Sequence, residues 1–166
     1  MSARPLVRSL AVTIPLLALV ACNPFRRESA VQVSASDATL NTRWHATLAS
    51  PSALAGVVQM SGSASMAPSA DGPGTVVTIN LANAAPGGLH PWAMRLGQCG
   101  TTPDGGSFGA SSLYEALEVG SDGLATATTT LPMATPQSGR YYVVVHASQA
   151  NANTVVACGN LAPPTR

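Results

Sequence analysis

The sequence predicts an all-β domain, built as a β-sandwich or a β-barrel. Short segments that alternate between apolar and polar residues recur along the chain, and turn-forming clusters of Gly, Pro, Asp and Ser separate them. Charged residues make up only 9% of the chain, which contains 15 glycines and 13 prolines. Many short strands at this spacing, with no sustained helical periodicity, are typical of sandwiches and barrels.

The first 21 residues have the pattern of a bacterial export signal. Arg4 and Arg8 precede an apolar run over 11–20, which is too short to span a bilayer as a helix. The run ends in Leu-Val-Ala before Cys22, and this junction resembles the lipobox of bacterial lipoproteins. The resemblance implies cleavage before Cys22 and lipid chains on its thiol. An ordinary signal peptide with a chance cysteine is the alternative.

The residues after Cys22 predict where the chain resides. Asn23 stands where, by the same resemblance, an aspartate would retain a lipoprotein in the inner membrane. We therefore expect a lipid-anchored protein of the bacterial cell envelope, in the outer membrane and facing the periplasm or the cell surface. Residues 22–43 are weakly periodic and rich in small polar residues, and they predict a flexible tether to one domain over 44–166.

The charge balance excludes a nucleic-acid partner. All eight basic residues are arginines, and loss of residues 1–21 leaves six of them against seven acidic residues. Nothing in this balance attracts a polyanion. The partners that remain are the membrane, through Cys22, and an unidentified protein or a second copy of the chain.

Strand patterns begin at Trp44. In the segment 75–84, Val77, Ile79 and Leu81 share one face. The segment 113–119 is compatible with a single helical turn. The other predicted strands and the loops between them are strands over 56–66, 124–132 and 141–148, turns over 68–74, 85–88 and 120–123, and loops over 100–112 and 133–140.

The strongest strand pattern is YYVVVHAS over 141–148. Its alternation divides six residues between two faces. One face carries Tyr142, Val144 and His146, and the other carries Tyr141, Val143 and Val145. The remaining two cysteines, Cys99 and Cys158, are expected to pair, because cysteines of exported chains usually do so.

The order of these segments resembles a copper/zinc superoxide dismutase over about residues 44–162. The similar pieces are GLHPWAMRLGQC at 88–99, the glycine-rich loop after it, the Asp-Gly turn, the Val-Val-His strand and the closing Ala-Cys-Gly at 157–159. The resemblance implies a Greek-key barrel and one intrachain disulfide between Cys99 and Cys158. It also implies a copper and a zinc ion, held in the family by six histidines and one aspartate.

The metal ligands of that family are largely absent from this chain, which has three histidines in all. The His-x-His pair of the family falls on Ala93 and Arg95, the bridging histidine on Ser107, and the arginine that guides superoxide on Val155. His146 alone matches a copper ligand. Because its guanidinium stays protonated, Arg95 disfavours a cation at this position. We therefore expect no copper or zinc cofactor and no catalytic residues.

The remaining candidate residues are expected to have structural roles. His90 corresponds to a supporting histidine of the family and is expected to form a hydrogen bond at its turn, His146 to pack or to form a hydrogen bond in its strand, and His45 to lie at the surface. The methionines show no ligand spacing and are expected to fill core or surface positions. Glu115 and Glu118 are expected to be solvated.

These observations predict a lipoprotein with a catalytically inactive dismutase-like barrel that acts in binding or in structure. Trp92, Met94 and Arg95 are residue types favoured at protein contacts and are expected to present a recognition surface. The first alternative is a periplasmic copper carrier that binds the metal through His90, His146 and Met94. The second is an active dismutase whose missing ligands come from a partner.

Overall fold

The computed structural model describes residues 42–101 and 105–164, and within them the protein is almost entirely β-structure. The predicted all-β fold is thereby confirmed. Two short 3₁₀ turns, Ser52–Leu54 and Ser111–Leu113, are the helical elements of the described residues. The strands are β1 (Trp44–Ala49), β2 (Ser61–Pro68), β3 (Thr75–Ala82), β4 (Leu89–His90), β5 (Trp92–Leu96), β6 (Leu117–Glu118), β7 (Ala125–Leu131), β8 (Tyr141–His146) and β9 (Val155–Asn160).

Seven of these strands form one curled antiparallel sheet in the order β5-β8-β9-β1-β2-β3-β7. Within it, β9 returns to lie beside β1, at the edge of the meander β1-β2-β3. β4 and β6 form a second, two-stranded sheet. β4 leads into β5 through Pro91, and β6 leads into β7 through a turn, so the small sheet joins the two edges of the large one.

Alternating side chains of the curled sheet form one apolar core. In β1 the burial alternates strictly, with Trp44, Ala46 and Leu48 inside. The predicted apolar face of β3 is confirmed, since Val77, Ile79 and Leu81 are buried. Each such side chain contributes about 1.5–3 kcal/mol when it leaves water. The Trp44 and Tyr141 rings meet edge to face, with their centroids 5.5 Å apart.

Strand β8 is buried on both faces over all six residues. Tyr141, Val143 and Val145 belong to the core, which confirms the predicted division of this strand. Tyr142, Val144 and His146 lie on the outer face and are buried as well. The loops of the molecule therefore cover the outer side of β8.

Two predictions of secondary structure were wrong, one in the bounds of a strand and one in the type of element. The segment 56–66 is extended only from Ser61, since residues 56–60 form a turn and loop in which Val57 is 85% exposed. Gly56 adopts φ of +83°, which no paired strand position accommodates. In 113–119 the chain makes no helical turn of its own and instead forms the short strand β6.

Several predictions concern residues outside the described ones, namely the export signal, the lipidated Cys22 and the tether up to residue 41. No helix within 42–101 and 105–164 is long and apolar enough to cross a membrane.

Candidate functional site

The residues of β5 and β8 that the sequence resemblance compares with metal ligands lie on the outer face of these strands. The two strands pair antiparallel, so Ala93 lies opposite Val144 and Arg95 lies opposite Tyr142. His146 follows Val144 by two residues and shares its face. Ala93, Arg95 and His146 therefore lie on one face of the β5–β8 pair.

Trp92 and Met94 of β5 point the opposite way, into the core. Trp92 is 3% exposed and Met94 is fully buried. The Trp92 indole N–H donates to the carbonyl of Glu115 at 2.7 Å, and its ring packs edge to face on Tyr114. The expectation that Trp92 and Met94 present a recognition surface was therefore wrong, because strand alternation assigns them to the core. Of the three expected contact residues, only Arg95 is partly exposed.

The loop that contains Ser107 runs directly along β5. The backbone N–H of Phe108 donates to the carbonyl of Met94 at 2.8 Å, and that of Leu96 donates to the carbonyl of Gly106 at 2.9 Å. Arg95 and Ser107 thus face each other in an isolated bridge. This close approach requires glycine at position 105, since a Cβ there would lie 1.5 Å from the carbonyl oxygen of Leu96. Ser107, which faces Arg95 here, is half-buried.

Arg95 contacts this same loop through its guanidinium. Its Nη1 donates to the carbonyl oxygen of Gly105 at 3.3 Å. A guanidinium keeps its proton in proteins, so a permanent positive charge lies beside Ala93 and Ser107. Copper prefers several imidazoles, and zinc requires four Cys, His, Asp or Glu ligands. The residues at these positions do not fit a copper–zinc pair.

His90 and His146 meet at the end of β8. The Nδ1 of His90 lies 3.0 Å from the backbone carbonyl of His146, and both residues are buried. The expected structural hydrogen bond of His90 is therefore present. The other ring nitrogen of His90, Nε2, has no hydrogen-bond partner among the described residues. It lies against Gly88, where a Cβ would approach Nε2 to 2.8 Å.

The three donors of the copper-carrier hypothesis are not brought together. Met94 is on the inner face of β5 beside Val143, whereas His146 is on the outer face of β8. Within residues 42–101 and 105–164, no three His, Cys, Asp or Glu side chains come close enough to share a metal ion. Met60 and Met66 are buried in the core.

The other candidate side chains have the environments that the sequence analysis predicted. Met133 packs partly buried against the core. His45, Glu115 and Glu118 are exposed.

The predicted disulfide between Cys99 and Cys158 is confirmed. It joins the loop after β5 to the middle of β9, and the two cysteines are separated by 59 positions in the sequence. Beside it is a groove of about 400 Å³, whose lining includes Tyr142, Val144 and Val155. Val155, the position of the guiding arginine in the dismutase family, gives this groove an apolar wall.

Tyr114 is a site residue that sequence reasoning missed. Its hydroxyl donates to the carbonyl of Phe108 and so holds the loop that covers β5. Burial raises the pKa of Tyr114 to about 12, while a backbone hydrogen bond with Met94 acts in the opposite direction. A tyrosine in a short loop segment carries no sequence signal for such a role.

A second groove also escaped the sequence analysis. It has a volume of about 710 Å³ and lies on the outer faces of β1, β2, β3 and β9. The exposed positions of these strands alternate with the core positions, so the polar character of this surface was readable from the sequence. Its concave shape was not.

No protein-family model matches this chain, and no curated protein is found to be similar to it.

Proposed function

We propose that this protein is an envelope lipoprotein whose domain keeps a copper/zinc superoxide dismutase-like barrel without the dismutase chemistry, and that it acts by binding or as a structural component. The observation that carries this proposal is the set of side chains on the outer face of β5 and in the loop against it. By the resemblance, Ala93, Arg95 and Ser107 correspond to metal ligands of that family, and the Arg95 guanidinium donates to the carbonyl of Gly105.

Three features support the resemblance to that family. The large sheet is antiparallel and curled, the disulfide joins the loop after β5 to β9, and His90 forms a hydrogen bond with the backbone of His146. Each feature concerns the sheet of a dismutase and the bonds that stabilise it rather than the metal centre.

The anchor rests on the sequence of the first 22 residues. A charged start, a short apolar run and a small residue before Cys22 support lipid attachment in the bacterial envelope. The proposed partners are the membrane, through the lipid of Cys22, and a protein or a second copy of the chain, bound by the domain.

The test is superoxide dismutation by the full-length protein after loading with copper and zinc. We expect no activity above that of the same sample treated with a chelator, because Ala93, Arg95 and Ser107 offer no imidazole. Activity well above the chelated control would refute the proposal. Copper content measured on the same dialysed sample tests the copper-carrier alternative, which requires about one retained equivalent.

A further inference from the structure

The groove on β1, β2, β3 and β9 is lined by seven residues with hydrogen-bonding side chains and by three alanines. No acidic residue lines it. The polar residues of this donor groove are Arg43, His45, Thr47, Ser63, Ser65, Asn80 and Asn160.

Strand register arranges part of this lining in a row. Asn80 lies opposite Ser63, and Ser63 lies opposite Thr47. The bridge of His45 with Ala162 and the pairing of Ala49 with Cys158 place Thr47 opposite Asn160. Neighbouring strands are about 4.8 Å apart, so the two asparagines are separated by roughly 14 Å. A ligand that contacts both must be elongated, which a single phosphate ion is not.

Hydrogen bonds within the protein occupy the side-chain oxygens of Asn80 and Asn160, so the groups that remain available to a ligand are mainly N–H donors. The Asn160 Oδ1 accepts the backbone N–H of Cys99 at 2.8 Å, which fixes the orientation of this amide. The Asn80 Oδ1 accepts the hydroxyl of Thr126 at 3.0 Å. In both residues the amide NH₂ has no partner among the described residues. Two amide groups thus offer their N–H bonds at opposite ends of the row.

Arg43 supplies the charge of the donor groove. Its guanidinium is held at one edge by the Ser65 hydroxyl, with 3.4 Å between Nη1 and Oγ. It is the one permanent cation in the lining, and the sequence from Trp44 to Ala70 contains no Asp, Glu, Lys or Arg. A polyanion such as nucleic acid requires several basic side chains. A single guanidinium fits a ligand with one carboxylate in its contact segment.

We propose that the donor groove binds an acidic oligosaccharide, with a uronate carboxylate on Arg43 and sugar oxygens on the amides of Asn80 and Asn160. The hydroxyl and ring oxygens of the sugar accept hydrogen bonds from the amides, and the serine and threonine hydroxyls of the groove can donate or accept. The inference does not depend on the loss of the metal ligands, because the groove lies on other strands than β5 and β8.

The test is titration of the full-length protein with an aldotriouronic acid, a trisaccharide of one glucuronate and two neutral xylose residues, followed by calorimetry or by NMR. We expect saturable binding with a dissociation constant of about 1 mM or tighter. Arg43→Gln should weaken it about tenfold, because it removes a charge-assisted hydrogen bond. Asn160→Asp should weaken it to a similar extent, since the new carboxylate still accepts from Cys99 but replaces the donor with a negative charge. Arg140→Gln removes the same charge from an exposed position outside the groove and should leave binding unchanged.

Three results would overturn the proposal. The first is no saturable binding at roughly 10 mM ligand, where a site of millimolar affinity is mostly filled. The second is equal binding of the neutral maltotriose or of inorganic phosphate. The third is an Arg43→Gln variant that binds like the unchanged protein. Superoxide dismutase activity has no bearing on these results, so failure of this inference and failure of the proposed function are separate.

Discussion

At the scale of single residues, glycines decide how closely the strands and loops can approach. Gly159 lies in β9 beside β1, and a Cβ at this position would be 2.3 Å from the carbonyl oxygen of Thr47. The carbonyl of Thr47 and the Cα of Gly159 both belong to the backbone of central strands, so neither can move without opening the sheet. The sequence shows a glycine after Cys158 but does not show that its Cα lies close to the carbonyl of Thr47.

Replacement of Gly159 by alanine is expected to destabilise the protein by about 1–3 kcal/mol, the usual cost of overpacking. Urea unfolding of the full-length protein measures this change. Gly106→Ala is the matched control, because a Cβ at position 106 meets nothing within 4 Å. Equal stability of the Gly159→Ala variant and the control would contradict the close approach of β9 and β1.

Tyr114 makes stability depend on alkaline pH. Burial raises the pKa of its hydroxyl to about 12 in the folded protein, whereas an unfolded tyrosine titrates near 10. The folded state therefore keeps the proton more tightly, and its stabilisation is complete below about pH 10 and lost as the pH rises through about 12. Tyr114→Phe removes this ionisation.

The free energy of unfolding should accordingly fall more steeply with pH in the unchanged protein than in the Tyr114→Phe variant, between about pH 10 and pH 12. Urea titrations across this range compare the two. The tyrosinate absorbance of the unchanged protein should include a late-titrating component that the Tyr114→Phe variant lacks. Parallel pH profiles of the two proteins would show that Tyr114 is not buried as described.

At the scale of elements, hydrophobic alternation predicted the faces of strands but not all of their bounds. The buried faces of β3 and β8 followed from period-two patterns, which are strong over six or more residues. Val57 and Val58 resemble the start of a strand, yet no neighbouring strand pairs with them. β6 has two residues and pairs with β4, nearly 30 positions earlier, so nothing local predicts it.

The disulfide is the element that holds the loop after β5 to β9. In the chain-entropy model, closing a loop of 59 residues contributes about 4 kcal/mol. The double substitution Cys99→Ser and Cys158→Ser should lower the free energy of unfolding by about this amount. The reduced but otherwise unchanged protein serves as the control, and it should match the double variant. A loss below about 1 kcal/mol would contradict the stabilising role of this bond.

At the scale of the whole molecule, the sequence predicted the all-β fold and the disulfide better than it predicted which residues form the surface features. The all-β fold, the disulfide and the common face of Ala93 and Arg95 followed from strand periodicity and from the resemblance to the dismutase family. The direction of Trp92 and Met94 did not, because the resemblance drew attention to residue types rather than to alternation. The donor groove depends on the register of four strands, which no local pattern encodes.

The central claim is that this barrel keeps a dismutase frame whose outer face of β5 holds no metal. The most direct measurement is copper content after loading and dialysis, compared between the full-length protein and its Ala93→His, Arg95→His variant. Ala93 pairs with Val144 and is therefore a diagonal neighbour of His146, and Arg95 lies on the same face two residues further along β5. We predict less than about a tenth of an equivalent in the unchanged protein and clearly more in the variant, because imidazoles then replace Ala93 and the positive charge of Arg95 on the face of His146. Stoichiometric copper and zinc in the unchanged protein would contradict the account.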